Sequence, residues 1–270
     1  MTATRFARSL AELRALPHLS VSQLKTFVGC PRRYTLAYVE GVVPQFRPIA
    51  LAFGTAWHEA VGFHLTASTR AAPADRDEVK TIFRERLSIA VESDRVPVLF
   101  DDGEDLGKSM DLGMRMLDVF LDRVELPENV IGVEVPFALE IVDPEYGDVL
   151  DVPLVGAIDA LVIHDGKPAV WELKTAKRKW AADALEYDLQ PTAYAMAAEH
   201  LGFEDPELVL LVATKTTKPD VQVERLARTK ADRDDLAVTA QSVTAAIAAG
   251  IDHPIRGWAC KGCPYAHACR

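Results

Sequence analysis

The sequence predicts an α/β fold in which helices cover a mixed central sheet. Helical patterns fill the first half of the chain, strand patterns begin at Val130, and a helix then alternates with further strands. This order of elements is typical of a layered α/β sandwich. With 270 residues, of which 49% are hydrophobic and 26% charged, the chain has the size and composition of a soluble domain with a large core.

The first half of the chain is predicted to be helical. Ser20, followed three residues later by Gln23, is typical of a capping box at the start of a helix. An acidic stretch that contains glycine predicts a loop within the longest helical pattern. The predicted helices span residues 23–39, 54–65 and 76–124, the last interrupted by the loop at 100–107.

Strands rich in Val, Ile and Leu dominate the second half. The Asp-Gly pair at 165–166 separates two apolar strands and is a strong hairpin signal. Pro191 is best accommodated in the first turn of a helix, which places the effective helix start near Leu189. The predicted strands span residues 130–141, 152–163, 169–175, 208–214 and 221–226, and the predicted helices span 181–201 and 232–249.

The N-terminus lacks an apolar signal core, and no apolar run approaches the roughly 20 residues needed to span a bilayer. We therefore expect a cytoplasmic protein without a membrane partner. In the cytoplasm, cysteines remain reduced and serve metals or catalysis more often than disulfides.

The net charge of −10 argues mildly against a nucleic-acid partner, because phosphate binding favours a basic surface. The basic residues are nevertheless clustered, and a cleft can be positive on an acidic protein. Two clusters are candidate DNA contacts, although each is also compatible with a solvated surface: Arg32 with Arg33, and Lys177 with Arg178 and Lys179.

The hairpin register brings two acidic residues together. If residues 165–166 form a two-residue loop, His164 pairs with Lys167, and counting back places Asp159 opposite Glu172. Directly opposed residues lie on the same face of a sheet, with Cβ atoms about 5 Å apart.

Lys174 lies two residues beyond Glu172 and is therefore expected on the same face. Two opposed carboxylates in apolar strands repel each other unless a cation lies between them, and oxygen ligands suit Mg²⁺ or Mn²⁺. The alternative interpretation is a surface aspartate, Asp159, and a Glu–Lys pair at the end of a sheet.

These residues, with Gly156 before Asp159, resemble the core of the PD-(D/E)XK nuclease superfamily. Upstream, the segment around His58 resembles the helical histidine motif of the RecB-like branch, which implies that the imidazole helps to bind metal. Downstream, Gln190 and Tyr194 resemble the Q-x-x-x-Y motif of the same branch, and residues four apart lie on one helical face.

The four cysteines resemble the iron–sulfur staple of AddB-type nucleases and of related CRISPR-adaptation nucleases. One cysteine lies near the start of the chain and three follow a C-x2-C-x5-C spacing at the end. The resemblance implies a [4Fe–4S] cluster, and a zinc site with four cysteines is the alternative. The ligands implied are Cys30, Cys260, Cys263 and Cys269.

The resemblance implies a metal-dependent DNA nuclease, most simply an exonuclease that acts on single strands or DNA ends in recombination, repair or phage DNA processing. A helicase or a recombinase is the expected type of protein partner. Two other classes stay open: a non-catalytic DNA-binding subunit, and a structural metalloprotein in which only the cysteines matter. The implied roles are metal binding by His58, Asp159, Glu172 and the backbone carbonyl of Leu173, orientation of the nucleophile by Lys174, and substrate binding by Gln190 and Tyr194.

We expect one nuclease domain over residues 1–270. Its parts are N-terminal helices with the first cysteine and the histidine motif (19–65), a helical insertion (66–126), a catalytic α/β core (127–228), and a C-terminal helix with the cysteine-rich tail (229–270).

Overall fold

The computed structural model describes residues 8–69, 74–92 and 96–269. The described helices, in chain order, are α1 (Leu10–Arg14), α2 (Val21–Gly29), α3 (Pro31–Tyr34), α4 (Ile49–Ser68), α5 (Arg76–Glu92), α6 (Leu106–Arg123), α7 (Ala182–Glu186), α8 (Leu189–His200) and α9 (Lys230–Ala248). A π-helical turn spans Thr35–Val39, and a 3-10 turn spans Trp258–Gly262. The strands are β1 (Arg47–Pro48), β2 (Val98–Leu99), β3 (Asn129–Leu139), β4 (Leu154–His164), β5 (Lys167–Ala176), β6 (Glu207–Thr214) and β7 (Val221–Leu226).

A five-stranded mixed sheet forms the centre of the molecule, with strand order β3-β4-β5-β6-β7. Strands β5 and β6 are parallel, and the other neighbouring strands are antiparallel. The parallel pair is connected through α7 and α8, as a parallel crossover requires. This arrangement confirms the predicted α/β class with a mixed sheet.

Each face of the sheet buries its own hydrophobic core. Helices α2, α8 and α9 contribute to the core on one face, and α4, α5 and α6 to the core on the other. Alternation along β5 sends Val170 to the first face and both Trp171 and Leu173 to the second. Glu172 lies between the latter two and therefore points towards α8.

Two predicted helices are interrupted by the effects of proline. The capping box at Ser20 and Gln23 is present, but the predicted helix over 23–39 breaks at Cys30, which is extended (φ −171°). Pro31 cannot donate a helical hydrogen bond and disfavours helical geometry in the residue before it. The predicted helix over 181–201 is likewise split into α7 and α8, and α8 begins at Leu189 as Pro191 predicts.

The region from 76 to 124 forms two helices, α5 and α6, and the predicted loop at 100–107 lies between them except for its last two residues, because α6 begins at Leu106. Short elements that the sequence did not predict are α1, β1 and β2, of which β1 and β2 pair in parallel. None of the described helices combines the length and apolar character needed to cross a bilayer.

Candidate active site

The β4–β5 hairpin has the predicted register. His164 pairs with Lys167, and the ladder continues to Ala160 and Trp171. The loop residues at 165–166 both have positive φ, 50° and 73°, as a type I′ turn requires.

The two strands separate one residue beyond the last pair, at Asp159 and Glu172. The carboxylate of Asp159 enters this gap, where Oδ2 accepts a hydrogen bond of 2.7 Å from the backbone N–H of Leu173. The two acids are therefore opposed in sequence count, but a side-chain hydrogen bond has replaced the backbone ladder between them. This separation of the strands gives the Asp159 carboxylate its place between β4 and β5.

One connected network joins the five side chains predicted to be catalytic. Tyr194 Oη donates to Asp159 Oδ1 at 3.1 Å, and Gln190 Nε2 donates to Tyr194 Oη at 2.8 Å. Lys174 Nζ donates to Gln190 Oε1 at 2.9 Å and forms an ion pair with Glu172. The motif residues on β4, β5 and α8 thus meet at one place.

Helix α4 brings His58 to the same place from the other face of the sheet. Trp57 is fully buried and packs edge-on against Phe120, with ring centroids 5.2 Å apart. The packing fixes α4, and the neighbouring His58 has its Nδ1 atom 3.9 Å from Asp159 Oδ2.

A third carboxylate, that of Glu134 on β3, was not predicted from the sequence. The residues on either side of Glu134 pair with the two neighbours of Asp159. Glu134 is therefore at the cross-strand position opposite Asp159. His58, Glu134 and Asp159 each offer a ligand atom, and these three atoms lie within 4.8 Å of one another. Within the described part of the chain, no other set of three or more such residues is as close.

The negative charge of the carboxylates at this site is only partly compensated by neighbouring basic side chains. Glu172 is 2% exposed, and neither of its oxygens accepts a well-formed hydrogen bond, although the Lys174 ammonium lies against one of them. Burial and the Asp159 charge raise the pKa of Glu172 to about 8. Desolvation and the same charge raise the pKa of Glu134 to about 7. Asp159 and Glu172 share the ammonium of Lys174, and the Arg14 charge only partly offsets the rise in the pKa of Glu134. A divalent cation would stabilise such a site.

The other titratable groups are poised for distinct roles. Burial lowers the pKa of His58 and favours the neutral imidazole, the form that can bind a metal. Burial alone would lower the pKa of Lys174, but the Glu172 and Asp159 charges outweigh it, so the pKa is raised and the amine stays protonated. Burial also raises the pKa of Tyr194, which keeps its hydroxyl a donor.

The five predicted DNA contacts differ in their availability. Arg33 and Arg178 are exposed and form no ion pair with a described residue. The other three are held in ion pairs within the protein: Arg32 with Glu40 and Asp252 (2.7 and 2.6 Å), Lys177 with Asp101 (2.5 Å) and Lys179 with Asp220 (2.7 Å).

The cysteine corner, defined as Cys30 together with residues 251–269, is only partly assembled. Cys30 Sγ accepts a hydrogen bond of 3.4 Å from the Ile255 N–H, and Cys260 Sγ lies 3.8 Å from the Ile255 carbonyl oxygen. The tail therefore packs against the start of α3. However, no three of the four sulfurs lie within 4.8 Å of one another, so the cysteines do not form a site for a single ion. All four are free thiols.

Comparison with known proteins extends over nearly the whole chain. The Gene 69 protein of Mycobacterium phage D29 is 28% identical over 276 residues, which cover 94% of this chain and 97% of the phage protein. The fold is similar to that of an exonuclease candidate from Eubacterium rectale, with a TM-score of 0.58, 15% identity, and coverage of 98% and 93% of the two chains. The protein SSO0001 aligns with a TM-score of 0.42 and 17% identity over 96% and 91% of the chains.

The family assignment rests on a match that spans the site and every described element from α2 onwards. The family model of the PD-(D/E)XK nuclease superfamily matches residues 18–270. This range contains the histidine, the hairpin acids, the lysine and the α8 motif. The chain belongs to the PD-(D/E)XK nuclease superfamily and is a nuclease, a hydrolase of phosphodiester bonds.

Proposed function

We propose that this nuclease is a metal-dependent deoxyribonuclease of the RecB-like or AddB-like branch, an exonuclease that acts on single strands or DNA ends. The observation that carries the proposal is the network from Asp159 to Glu172 through Tyr194, Gln190 and Lys174. DNA binding without catalysis does not require these five side chains to be hydrogen-bonded to one another. We propose that the enzyme acts in recombination, repair or phage DNA processing and that its protein partner is a helicase or a recombinase.

The residues present fit a divalent metal. A buried carboxylate without a good hydrogen bond, such as Glu172, is costly unless a cation compensates it. Asp159, Glu172, the Leu173 carbonyl and His58 would hold one or two Mg²⁺ or Mn²⁺ ions. When bound there, the metal supplies Lewis-acid chemistry, because it withdraws electron density from phosphate oxygens and from water.

The surrounding side chains orient the substrate and the nucleophile. Lys174 is protonated and can donate to an attacking water or to a phosphate oxygen while Gln190 holds its ammonium in place. Tyr194 donates to Asp159 and so keeps that carboxylate facing the gap between the strands. Gln190 also has a second amide hydrogen that is free to meet substrate.

The RecB-like branch is favoured by two features outside the hairpin. His58 lies 3.9 Å from Asp159, as a helical histidine motif that contributes to metal binding requires. Gln190 and Tyr194 are hydrogen-bonded to each other at 2.8 Å, which is the arrangement expected of residues four apart on α8. The exonuclease assignment is consistent with the similarity in fold to the Eubacterium rectale protein, an exonuclease candidate.

The proposal includes a [4Fe–4S] cluster bound by Cys30, Cys260, Cys263 and Cys269. Ile255 already contacts two of these sulfurs, which supports a shared location. Thiolates at about 2.3 Å from one tetrahedral zinc would lie within roughly 4 Å of each other, closer than is found for any three here. A cluster binds each thiolate through a different iron and therefore accepts a wider spacing.

The same proposal divides one nuclease domain, residues 1–270, into functional parts. Residues 127–228 carry the hairpin acids and α8, and 19–65 add His58 and the first cysteine. Helices α5 and α6 pack on α4 and on each other, which supports residues 66–126 as an insertion that buttresses the histidine helix. Residues 229–270 supply α9 and the tail of the cysteine corner.

A cleavage assay tests the proposed function. Anaerobically purified protein is mixed with end-labelled linear single strands, linear duplexes and circular single strands, in Mg²⁺, Mn²⁺ or EDTA. We expect linear single strands or duplex ends to be shortened with either metal, circles to be spared, and EDTA to stop the reaction. Glu172→Gln should be inactive under all conditions. Cleavage in EDTA would contradict metal dependence, and equal cleavage of circles would contradict an exonuclease.

A further inference from the structure

A pocket between α4 and α6 lies beyond the C-terminal end of β5, and its described lining includes none of the candidate active-site residues. Its volume is about 610 Å³, within the range of roughly 300–1,000 Å³ that is usual for sites that bind small molecules. Ile49, Phe53 and Leu112 form an apolar wall, and Thr216 and Thr217 of the β6–β7 loop add hydroxyl groups. Such a lining suits a ligand that has both an apolar and a polar part.

Lys215 provides the unbalanced charge of this pocket. Its Nζ atom lies 4.8 Å from the centroid of the Phe53 ring, and the half-buried side chain forms no ion pair with any described residue. Burial lowers the pKa of Lys215, so an anion beside the ammonium would favour its charged form. The other ionisable side chains of the described lining are exposed, and their acids are matched by as many bases: Asp101, Glu104 and Asp111, and Lys108, Arg115 and Lys177.

The pocket is within reach of a DNA strand held at the active site. Phe53 and His58 are five residues apart on α4, which corresponds to about 7.5 Å along the helix axis. Next to Phe53, α4 lies close to β5, because a Cβ atom on Gly54 would be 3.7 Å from Oγ1 of Thr175, the residue after Lys174. Phosphates on one strand of a duplex are about 3.4 Å apart along the axis, so the pocket lies roughly two or three nucleotides from the active site.

We propose that this pocket binds one unpaired nucleotide of the strand that is cleaved, with its base against the apolar wall and a phosphate group on Lys215. The inference rests on the proposed function, which brings a DNA strand to the neighbouring active site, and it adds a preference for unpaired DNA. A base inside a duplex is stacked and paired, and it must be extruded before it can enter a pocket. A strand that is single, or frayed at its end, already presents an unpaired base.

DNA binding in EDTA tests the inference apart from cleavage. Fluorescence anisotropy compares a short labelled single strand with a blunt duplex of the same sequence. Lys215→Met removes the charge but keeps an unbranched apolar side chain against Phe53, and Ala50→Trp adds a large ring at an exposed position of the pocket lining. The matched controls are Lys218→Met, at an exposed position of the same loop, and Leu51→Trp, at a position of α4 that is 60% exposed. Neither control residue is among the described residues that line the pocket.

Both pocket variants should bind the single strand about five- to tenfold more weakly than the wild type, as expected for the loss of one base contact. Their binding to the blunt duplex should be nearly unchanged, and both controls should bind like the wild type. Single strands that carry one abasic residue, placed in turn at each of the terminal positions, locate the contact. The wild type should lose affinity when the abasic residue is at the position that enters the pocket, and Ala50→Trp should not show this loss.

Several outcomes would overturn the inference. Pocket variants that bind the single strand like their controls would show that DNA does not enter the pocket, and equal weakening for single strand and duplex would indicate a general phosphate contact. If Ala50→Trp does not fold, the wild type decides, because equal binding of intact and abasic strands rules out a site for a base. DNA cleavage is measured separately, so the expected binding without any cleavage would contradict the proposed function and leave the pocket assignment intact.

Discussion

The two regions proposed to bind metals are organised to different degrees. At the hairpin site, five side chains from β4, β5 and α8 form one network, and α4 brings His58 to within 3.9 Å of Asp159. At the cysteine corner, two sulfurs contact Ile255, yet no three sulfurs lie within 4.8 Å. One region is assembled by protein contacts alone, and the other is not.

The difference follows from the elements that carry the ligands. Residues of the hairpin site lie on strands and helices whose neighbours are buried in the two cores, so their positions are fixed before any ion binds. After α9, the described tail contains only the short 3-10 turn Trp258–Gly262. Such a segment buries little apolar surface, and we expect the metal itself to order it, so that binding energy becomes folding energy.

The largest expected effect is on the cleavage rate, when residues of the hairpin site are replaced. Lys174→Ala and Glu172→Ala should each lower the cleavage rate by about a thousandfold or more, because each removes a central catalytic group. Iron content should change little. Lys167→Ala, on the same strand but at the hairpin turn, is the control and should cleave like the wild type. Residual activity above about a tenth in either site variant would contradict the assignment.

The second prediction tests the cysteine corner. Cys30→Ser, Cys263→Ser and Cys269→Ser should each lose the cluster, with less absorbance near 400 nm (roughly the region of iron–sulfur charge transfer) and a melting temperature lower by at least about 5 °C. The three variants should behave alike because each removes a ligand from one site. Glu172→Ala is the control and should keep its iron. Unchanged melting in Cys30→Ser would show that the tail is a loosely attached segment.

The third prediction concerns the pH dependence of the metal-free protein. The folded-state pKa of Glu172 is raised from its ordinary value of 4.5 to about 8, so the folded state binds more protons than the unfolded state between these values. Stability is then full at low pH and is lost as pH rises through this window. In EDTA, the wild type should melt a few degrees lower at pH 8 than at pH 5, and Glu172→Gln should lose most of this difference.

In EDTA at pH 8, Glu172→Gln should melt at a higher temperature than the wild type, because it lacks the buried charge. With Mn²⁺ present at pH 8, the wild type should melt at the higher temperature. The metal stabilises the folded wild type in proportion to its affinity, and Glu172→Gln lacks one of the ligands. A scan by differential calorimetry with and without metal measures both effects. Equal melting of the wild type at pH 5 and pH 8 in EDTA would contradict the argument that uncompensated carboxylates destabilise the metal-free site.

Local geometry explains what the sequence could predict. A two-residue turn sets the hairpin register, so the pairs could be counted correctly as far as Ala160 and Trp171, next to which Asp159 and Glu172 lie. Helical spacing did the same for Gln190 and Tyr194. The two acids lie on strands joined by a short turn, and Gln190 and Tyr194 lie on one helix. Neither arrangement depends on packing between distant parts of the chain.

Long-range pairing explains what the sequence could not predict. Glu134 is a single charge between Val133 and Val135, and nothing local indicates that it faces Asp159. Its position depends on how β3 pairs with β4 across a register shift between Val130 and Gly132. The conformation of the cysteine corner is similarly set by contacts between ends of the chain more than 200 residues apart, such as that between Cys30 and Ile255 at a separation of 225.

The smallest expected effect is on DNA affinity, when basic side chains are replaced by alanine. Side chains without an ion pair are compared with side chains held in one. Arg33→Ala and Arg178→Ala should each weaken DNA binding two- to threefold, and removing one phosphate-binding side chain should reduce the slope of log affinity against log salt by about 0.7 for a single strand. Lys179→Ala is the matched comparison, because Lys179 is already held by Asp220 at 2.7 Å. Its contribution to binding must first overcome that ion pair, so the weakening should be smaller.

Fluorescence anisotropy with labelled single strands over a salt series measures these slopes, in EDTA and in a Glu172→Gln background so that the DNA stays intact. A slope that is unchanged in both arginine variants would show that neither residue contacts phosphate. A larger decrease in affinity for Lys179→Ala than for Arg178→Ala would show that DNA displaces Asp220 from Lys179 and that the ion pairs of the free protein do not report which basic side chains bind DNA.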